Sequence, residues 1–321
     1  MYAGCDDLLE QATRFIEQGI GAGEPTFVVI DTPTISMLAA RIGPHPLLTF
    51  ADMAVVGANP ARIIPAWQSF VDDHADGHPL RGIGQPVWAG RTEQELVECQ
   101  RHESLLNLAF SGSANMWLMC PYDVESLDEA IIRGAERTHP SIADRHGRWP
   151  SSSFEGVGAA AAPLGVPLPE PPASAVTLSF GAGTLSSVRP WLAGYAGTLG
   201  LSFDRVDDLV LAVGEISSNS VLHGGGRGVV RVWSRDGAVV CEVVDAGSIT
   251  DPLAGRRRPA TGQESGFGLW LANQLCDLVQ IRTFADASVV RVHVRLDDAQ
   301  PSTASEGSAR LDMSSPPASE R

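Results

Sequence analysis

Lysine is absent from this sequence, and all 23 of its basic side chains are arginine. That absence excludes the glycine-rich P-loop, whose lysine reaches nucleotide phosphates, and also the strand lysine of ordinary protein kinases. Any phosphate held by this chain must be held by other means. Cysteine is scarce as well: Cys5, Cys99, Cys120, Cys241 and Cys276 are odd in number, widely separated and without a C-x-x-C pair. Neither a zinc site nor a disulfide framework is therefore expected, and the five read as small buried apolar residues. Long apolar runs are missing, since segments such as 27–30 and 229–233 fall far short of a membrane span. The N-terminus is acidic where a secretory signal is basic, so no membrane partner is expected and the expected location is the cytoplasm. Positive charge is in deficit, with 38 acidic against 23 basic side chains and a formal net charge of −15, which argues against direct binding of nucleic acid.

What is present divides into two halves. A chain of 321 residues has room for two domains, each with its own core. Over residues 1–145, helical spacing at 6–14 is followed by the glycine-rich stretch 19–23 and the apolar run 27–30; further helix-then-strand units are expected at 32–42 with 47–50, and at 94–110 with 116–120. Alternating helices and short unbroken apolar strands predict an α/β domain with a mostly parallel sheet. Residues 146–175 turn to Ser, Gly, Ala and Pro, including Pro167, Pro169, Pro171 and Pro172, and read as an extended linker. Residues 176–297 predict an α+β domain. Its helices fall at 187–199, 203–223 and 268–278, and lie on one face of a mixed or antiparallel sheet built from 229–234, 238–244, 279–284 and 288–294. Residues 298–321 lack periodicity and read as a disordered tail.

The second domain carries a lysine-free set of groups suited to a nucleotide. Glu215 and Asn219 stand four apart on one helix face, where an amide oxygen and a carboxylate can share a magnesium shell. Asp245-Ala246-Gly247 ends a strand: the carboxylate can accept from an adenine amino group, and the glycine lets the base approach the backbone. Gly266-Phe267-Gly268-Leu269 opens a helix whose free N–H groups and dipole face an anion.

The run from Glu215 through Asn219 to His223-Gly224, with Asp245-x-Gly247 and Gly266-x-Gly268-Leu269, resembles the N, G1 and G2 boxes of the GHKL ATPase superfamily, whose ATP-binding domain has the Bergerat fold. The His223-Gly224 ending and the segment 268–277 are most similar to the anti-sigma regulatory factor serine kinases. The resemblance implies ATP and Mg2+ as cofactors, with Asn219 as the magnesium ligand and Glu215 as the catalytic base or water-positioning residue. It further implies Asp245 on adenine, Gly247 beneath the purine, Gly266, Gly268 and Leu269 at the phosphates, and His223 one turn further along the same face. Ile249 stands where many relatives have a second glycine, so the lid that follows is expected to be shorter or stiffer. Within that lid, Arg256-Arg257-Arg258 is read either as a solvated loop or as reaching phosphates or an acidic partner.

In the first domain, the segments 82–88, 103–107 and 118–123, with Thr138-His139-Pro140, resemble the MEDS (DcmR-like) sensory domain, a relative of RecA/KaiC-type folds. The resemblance implies a small-molecule ligand. Arg81, Glu103, Tyr122 and Asp123 are candidates for either a ligand or a structural role, and no metal site is expected among His45, His74, His78, His102 and His139. The reading is an ATP-binding anti-sigma regulatory factor, a serine/threonine protein kinase acting on a STAS-type anti-anti-sigma protein or sequestering a sigma factor, with homodimerisation left open. Its rivals are a histidine kinase, which needs a phosphoacceptor helix where the proline-rich linker stands, and a non-catalytic ATP-dependent binding switch.

Overall fold

The computed structural model describes residues 1–74, 77–111, 116–156, 165–259 and 266–296. The N-terminal half runs α1 (Gly4–Ala22), β1 (Thr26–Ile30), α2 (Thr32–Ile42), β2 (Leu48–Asp52), the single turn α3 (Met53–Val56), α4 (Ile63–Asp73), β3 (Leu80–Gly84), α5 (Glu93–Ala109), β4 (Met116–Met119), α6 (Glu129–Thr138), β5 (Ser141–Asp144) and β6 (Gly147–Pro150). Its main sheet has the order β2-β1-β3-β4, parallel throughout. Successive side chains of a strand point to opposite faces. Val28 and Ile30 of β1 accordingly pack with Leu9, Ala12, Ile16 and Leu38 of α1 and α2, while Val29 packs on the other side with Trp67 of α4 and Leu105 and Leu106 of α5. A sheet covered on both faces is what an unbroken apolar strand requires.

Several elements escaped the sequence reading. Helix α1 continues through the stretch read as a tight loop and stops only at Gly23, in the left-handed region at φ 75°. Gly19 sits inside the helix because it lies against Arg81, whose side chain a Cβ would meet at 2.7 Å. Strand β3 reads Leu-Arg-Gly-Ile-Gly, and its bare backbone is the surface on which Trp67 lies: a Cβ on Gly82 would come within 2.6 Å of the indole ring. Helices α4 and α6 and the β5–β6 hairpin, which runs across position 145, were likewise not anticipated.

The C-terminal half runs β7 (Val176–Gly181), α7 (Val188–Thr198), α8 (Phe203–His223), β8 (Arg227–Arg235), β9 (Ala238–Asp245), α9 (Phe267–Leu275), β10 (Leu278–Thr283) and β11 (Ser288–Arg295). The sheet order is β10-β11-β9-β8-β7, and every pairing is antiparallel. On its helical face, Val243 of β9 lies between Val230 and Val290 and beneath Leu209, Val213 and Ile216 of α8. Helix α9 ends three residues before the expected 278, because Leu278 is already the first residue of β10. The tail expected at 298–321 lies outside the described residues, and among those described no helix is long and apolar enough to cross a membrane.

The second face of this sheet is polar and nonetheless buried. Glu242 holds Arg231 at 3.0 Å and Arg291 at 2.5 Å, and Arg291 also donates to the Pro169 carbonyl of the linker at 2.8 Å. Beside it, Glu98 of α5 reaches across from the N-terminal half. Its carboxylate, 1% exposed, pairs with Arg282 of β10 at 2.9 Å, with Arg256 at 3.2 Å and with its own helix neighbour Arg101 at 3.3 Å. Glu95 of the same helix pairs with Arg295 of β11. A second contact joins the halves at the end of α9, where Asn59 donates to the Asn273 and Cys276 carbonyls at 3.1 and 3.3 Å, and Arg62 to the same two at 2.8 and 3.0 Å. These are the unpaired carbonyls of a helix C-terminus, which donors and positive charge stabilise.

Removing one partner of a buried ion cluster strands the others without counter-charge. Glu98→Ala is expected to lower the stability measured by urea unfolding by about 3–5 kcal/mol, whereas Glu17→Ala, on the exposed face of α1, should change it by less than about 0.5 kcal/mol.

Candidate functional site

Four elements converge at one corner of the second domain. Helix α8 buries Val206, Leu209, Ala212, Val213 and Ile216 in the core, which leaves Glu215 and Asn219 half-buried on its flank. The start of α9 passes so close to that flank that a Cβ on Gly268 would meet the Asn219 side-chain nitrogen at 2.8 Å and the Glu215 Cβ at 3.4 Å. Gly266 caps α9 in the left-handed region at φ 93°, a conformation glycine adopts without steric cost. The first N–H groups of α9 are thus brought beside Asn219 and Glu215.

Asp245, the last residue of β9, is fixed from three sides. One carboxylate oxygen accepts from the Gly247 N–H at 2.8 Å and the Ser288 hydroxyl at 2.6 Å, and the other accepts from the Ser220 hydroxyl at 2.5 Å. A carboxylate oxygen has two lone pairs, so the second retains capacity for one more donor. Gly224 closes this corner: a Cβ there would overlap the Asp245 carboxylate, and one on Gly247 would meet the His223 carbonyl at 3.2 Å. These glycines let the backbone pack directly against the Asp245 carboxylate, where any side chain would clash. His223 is exposed at the end of α8, and half-buried Leu269 packs onto the core.

Sequence reasoning missed Arg189 of α7, whose guanidinium lies 3.5 Å from Glu215. It also missed Ser220 and Ser288, which hold Asp245. Nothing local marks them, because a lone arginine or serine gains meaning only from the partner that folding brings to it. The lid departs from the solvated-loop reading at one position. Arg257 and Arg258 are exposed, but Arg256 is buried against Glu98, and burial lowers its pKa to about 9, with Arg101 adding to the effect, which leaves it charged at neutral pH. Gly255 lies against Leu269 of α9, and the Asn273 side chain donates to its carbonyl at 2.9 Å. Lid residues 251–259 thus touch both the candidate site and the N-terminal half.

That N-terminal half has a cavity of about 530 Å³ lined by Tyr2, Arg81, Cys120, Tyr122, His139 and Arg148, among others. Arg81 is held by Glu24 and by the Phe15 carbonyl at 3.1 Å, and Asp123 is engaged by its own turn, through the Glu125 N–H at 3.1 Å and the Ser126 hydroxyl at 2.7 Å. Glu103 lies 3.3 Å from His139 and 3.4 Å from the Cys120 thiol, although sequence spacing gave no sign of a cluster. Burial opposes the charge on His139, but bonding to Glu103 outweighs it and raises the pKa; burial likewise opposes the charge on Glu103, and His139 keeps its pKa below the usual range.

Comparison with known proteins agrees with this division. Residues 1–140 match the family described as MEDS, the methanogen/methylotroph, DcmR sensory domain, and residues 179–294 match the histidine kinase-like ATPase domain. The chain therefore joins a MEDS domain to a domain of the histidine kinase-like ATPase class. No curated protein matches. Among solved structures, the RsbU and RsbW domains of Rv1364c from Mycobacterium tuberculosis align at 22% identity and TM-score 0.30, over 39% of this chain and 33% of that one. The chain thus spans about a third of the length of that protein's chain.

Overpacking beside Asp245 provides a check on the geometry. Gly224→Ala should displace the carboxylate and cost about 1–3 kcal/mol by thermal unfolding, and Gly226→Ala, two positions on in open space but at φ 80°, should cost about 1–2 kcal/mol through backbone strain alone. Equal losses that leave the Asp245 environment unchanged by NMR would overturn the packing account.

Proposed function

We propose that the C-terminal domain binds Mg-ATP in the corner formed by α8, the end of β9 and the start of α9. In this reading the protein is an anti-sigma regulatory factor that phosphorylates a serine or threonine of a STAS-type anti-anti-sigma protein, sequesters a sigma factor, or does both, under control of the MEDS domain. The observation that carries the proposal is the convergence of Glu215 and Asn219, the fixed carboxylate of Asp245 and the glycine-capped N-terminus of α9. The match to a histidine kinase-like ATPase domain supports it.

The chain's residues fit the cofactor: hard oxygen donors for magnesium at Asn219, an acceptor for an amino group at Asp245, and unencumbered helix N–H groups for phosphate without lysine. Mg-ATP, when bound, supplies the phosphoryl group. Asn219 would hold the metal, and Glu215 would accept the proton of the attacking hydroxyl or orient it, which makes positioning and charge neutralisation the chief catalytic contributions. Arg189, beside Glu215, adds positive charge where phosphate charge develops. Among the described residues, 151–156 and 166–175 contain no α-helix, which disfavours a histidine kinase with its long phosphoacceptor helix directly before the ATP domain. We read the parallel N-terminal sheet as RecA/KaiC-like on the strength of the resemblance of its motifs. Its control over the ATP domain has a physical route, because Glu98 grips the lid through Arg256 while Asn59 and Arg62 hold the far end of α9.

Calorimetry on Asn219→Ala should show Mg-ATP affinity reduced at least about tenfold with the fold retained; unchanged affinity would remove the ligand assignment. Glu215→Gln should bind Mg-ATP but transfer phosphate to an anti-anti-sigma substrate about a hundred- to ten-thousandfold more slowly. If the unaltered protein binds ATP yet transfers none, the non-catalytic switch is the correct reading.

A further inference from the structure

We propose that Glu103, Cys120 and His139 form a binding site for a divalent transition-metal ion of the zinc class, set in the wall of the N-terminal cavity with one coordination position open to it. The three come from separate elements: Glu103 from the middle of α5, Cys120 from the residue after β4, and His139 from the residue that caps α6. They are the one group of three metal-ligating side chains that the described residues bring together, with donor atoms all within 4.8 Å of one another.

The distances suit coordination. The Glu103 Oε2 atom lies 3.3 Å from His139 Nε2 and 3.4 Å from Cys120 Sγ. Four ligands around zinc at bond lengths of about 2.0–2.3 Å stand roughly 3.3–3.8 Å apart, so the cluster needs little rearrangement to close on an ion. The donor set also suits zinc rather than magnesium or calcium, since thiolate and imidazole are ligands for softer ions. His139 has the orientation of a metal ligand: its Nδ1 lies 2.8 Å from the Ala135 carbonyl, which directs Nε2 toward the other two donors, and such support from a backbone carbonyl is the usual outer contact of a ligating histidine.

A further observation points to a missing partner. Glu103 is 2% exposed, and its second carboxylate oxygen, Oε1, is buried and makes no hydrogen bond of full geometry, although the buried Tyr122 hydroxyl interacts with this carboxylate. A buried acceptor left unpaired costs about 1–3 kcal/mol, and a cation bound by the carboxylate would answer it. Access exists because Cys120 and His139 line both the 530 Å³ cavity and an adjoining one of about 340 Å³, which Glu103 also lines. With three protein ligands, the fourth position is left to water or to a small ligand entering the cavity, the arrangement of an open rather than a purely structural metal site.

The test uses the full chain in a Cys5→Ser background, because Cys5 is exposed while Cys99, Cys241 and Cys276 are buried. Protein stripped with a chelator is titrated with Co2+ alone, without nucleotide, and followed by absorption. One equivalent should bind with a thiolate-to-cobalt charge-transfer band and the visible bands of tetrahedral cobalt, and Zn2+ should displace it. Cys120→Ala should abolish the charge-transfer band, and His139→Gln and Glu103→Gln should each weaken uptake at least about tenfold. Far-UV circular dichroism identifies any variant that fails to fold, in which case Cys120→Ser, closest in shape, replaces it. Absence of the band in the unaltered site, or a band that survives in folded Cys120 variants, overturns the proposal and leaves the three as a metal-free hydrogen-bonded cluster.

Discussion

The contact between the two halves of this protein centres on one buried carboxylate, that of Glu98. Three guanidinium groups surround it, one from its own helix α5, one from β10 and one from the lid that follows the candidate nucleotide corner. Charges taken out of water are costly unless they are paired, so this cluster tolerates little displacement of any member. Around it the polar face of the second sheet becomes an interior surface, covered by α5 and by linker residues near Pro169. A sheet face rich in Arg, Glu and Gln would read as solvent-exposed in isolation. Here it is buried because the neighbouring domain supplies counter-charges.

The same contact gives the N-terminal half two points of purchase on the other. Arg256 ties the lid to α5, and Asn59 with Arg62 satisfies the terminal carbonyls of α9, whose opposite end faces Asn219 and Glu215. Helix α9, nine residues long, thus spans the distance between these two contacts. A ligand in the N-terminal cavity can alter the nucleotide corner only through a difference in its affinity for two arrangements of such an element. The contacts at both ends of α9 are where such a difference would act.

Much of the candidate corner was legible because it obeys local rules. Four-residue spacing puts Glu215 and Asn219 on one helix face whatever surrounds them, a glycine before an apolar helical run marks a helix start, and Asp-x-Gly after a valine-rich run marks a strand end. The parallel sheet of one half and the antiparallel sheet of the other were legible in outline for a similar reason, since the hydropathy period differs between them. Strand β3 and the end of α1 were not, because Gly82 is there to make room for the Trp67 ring and Gly19 for the Arg81 side chain.

The sequence by itself determined the local geometry: the lysine-free character of any phosphate site, the helix carrying Glu215 and Asn219, the turn after Asp245, and the alternation that builds a parallel sheet in one half. Tertiary structure alone decided which side chains meet across long separations. It brought Ser220 and Ser288 onto Asp245, Arg189 onto Glu215, Glu103 together with Cys120 and His139, and Arg256 and Arg282 onto Glu98. The physical reason is that backbone preference and hydrophobic period act over a few residues and leave a trace in composition. A buried polar contact is specified only by the requirement that each desolvated group find a partner, and any of several distant residues can meet that requirement until the chain has folded.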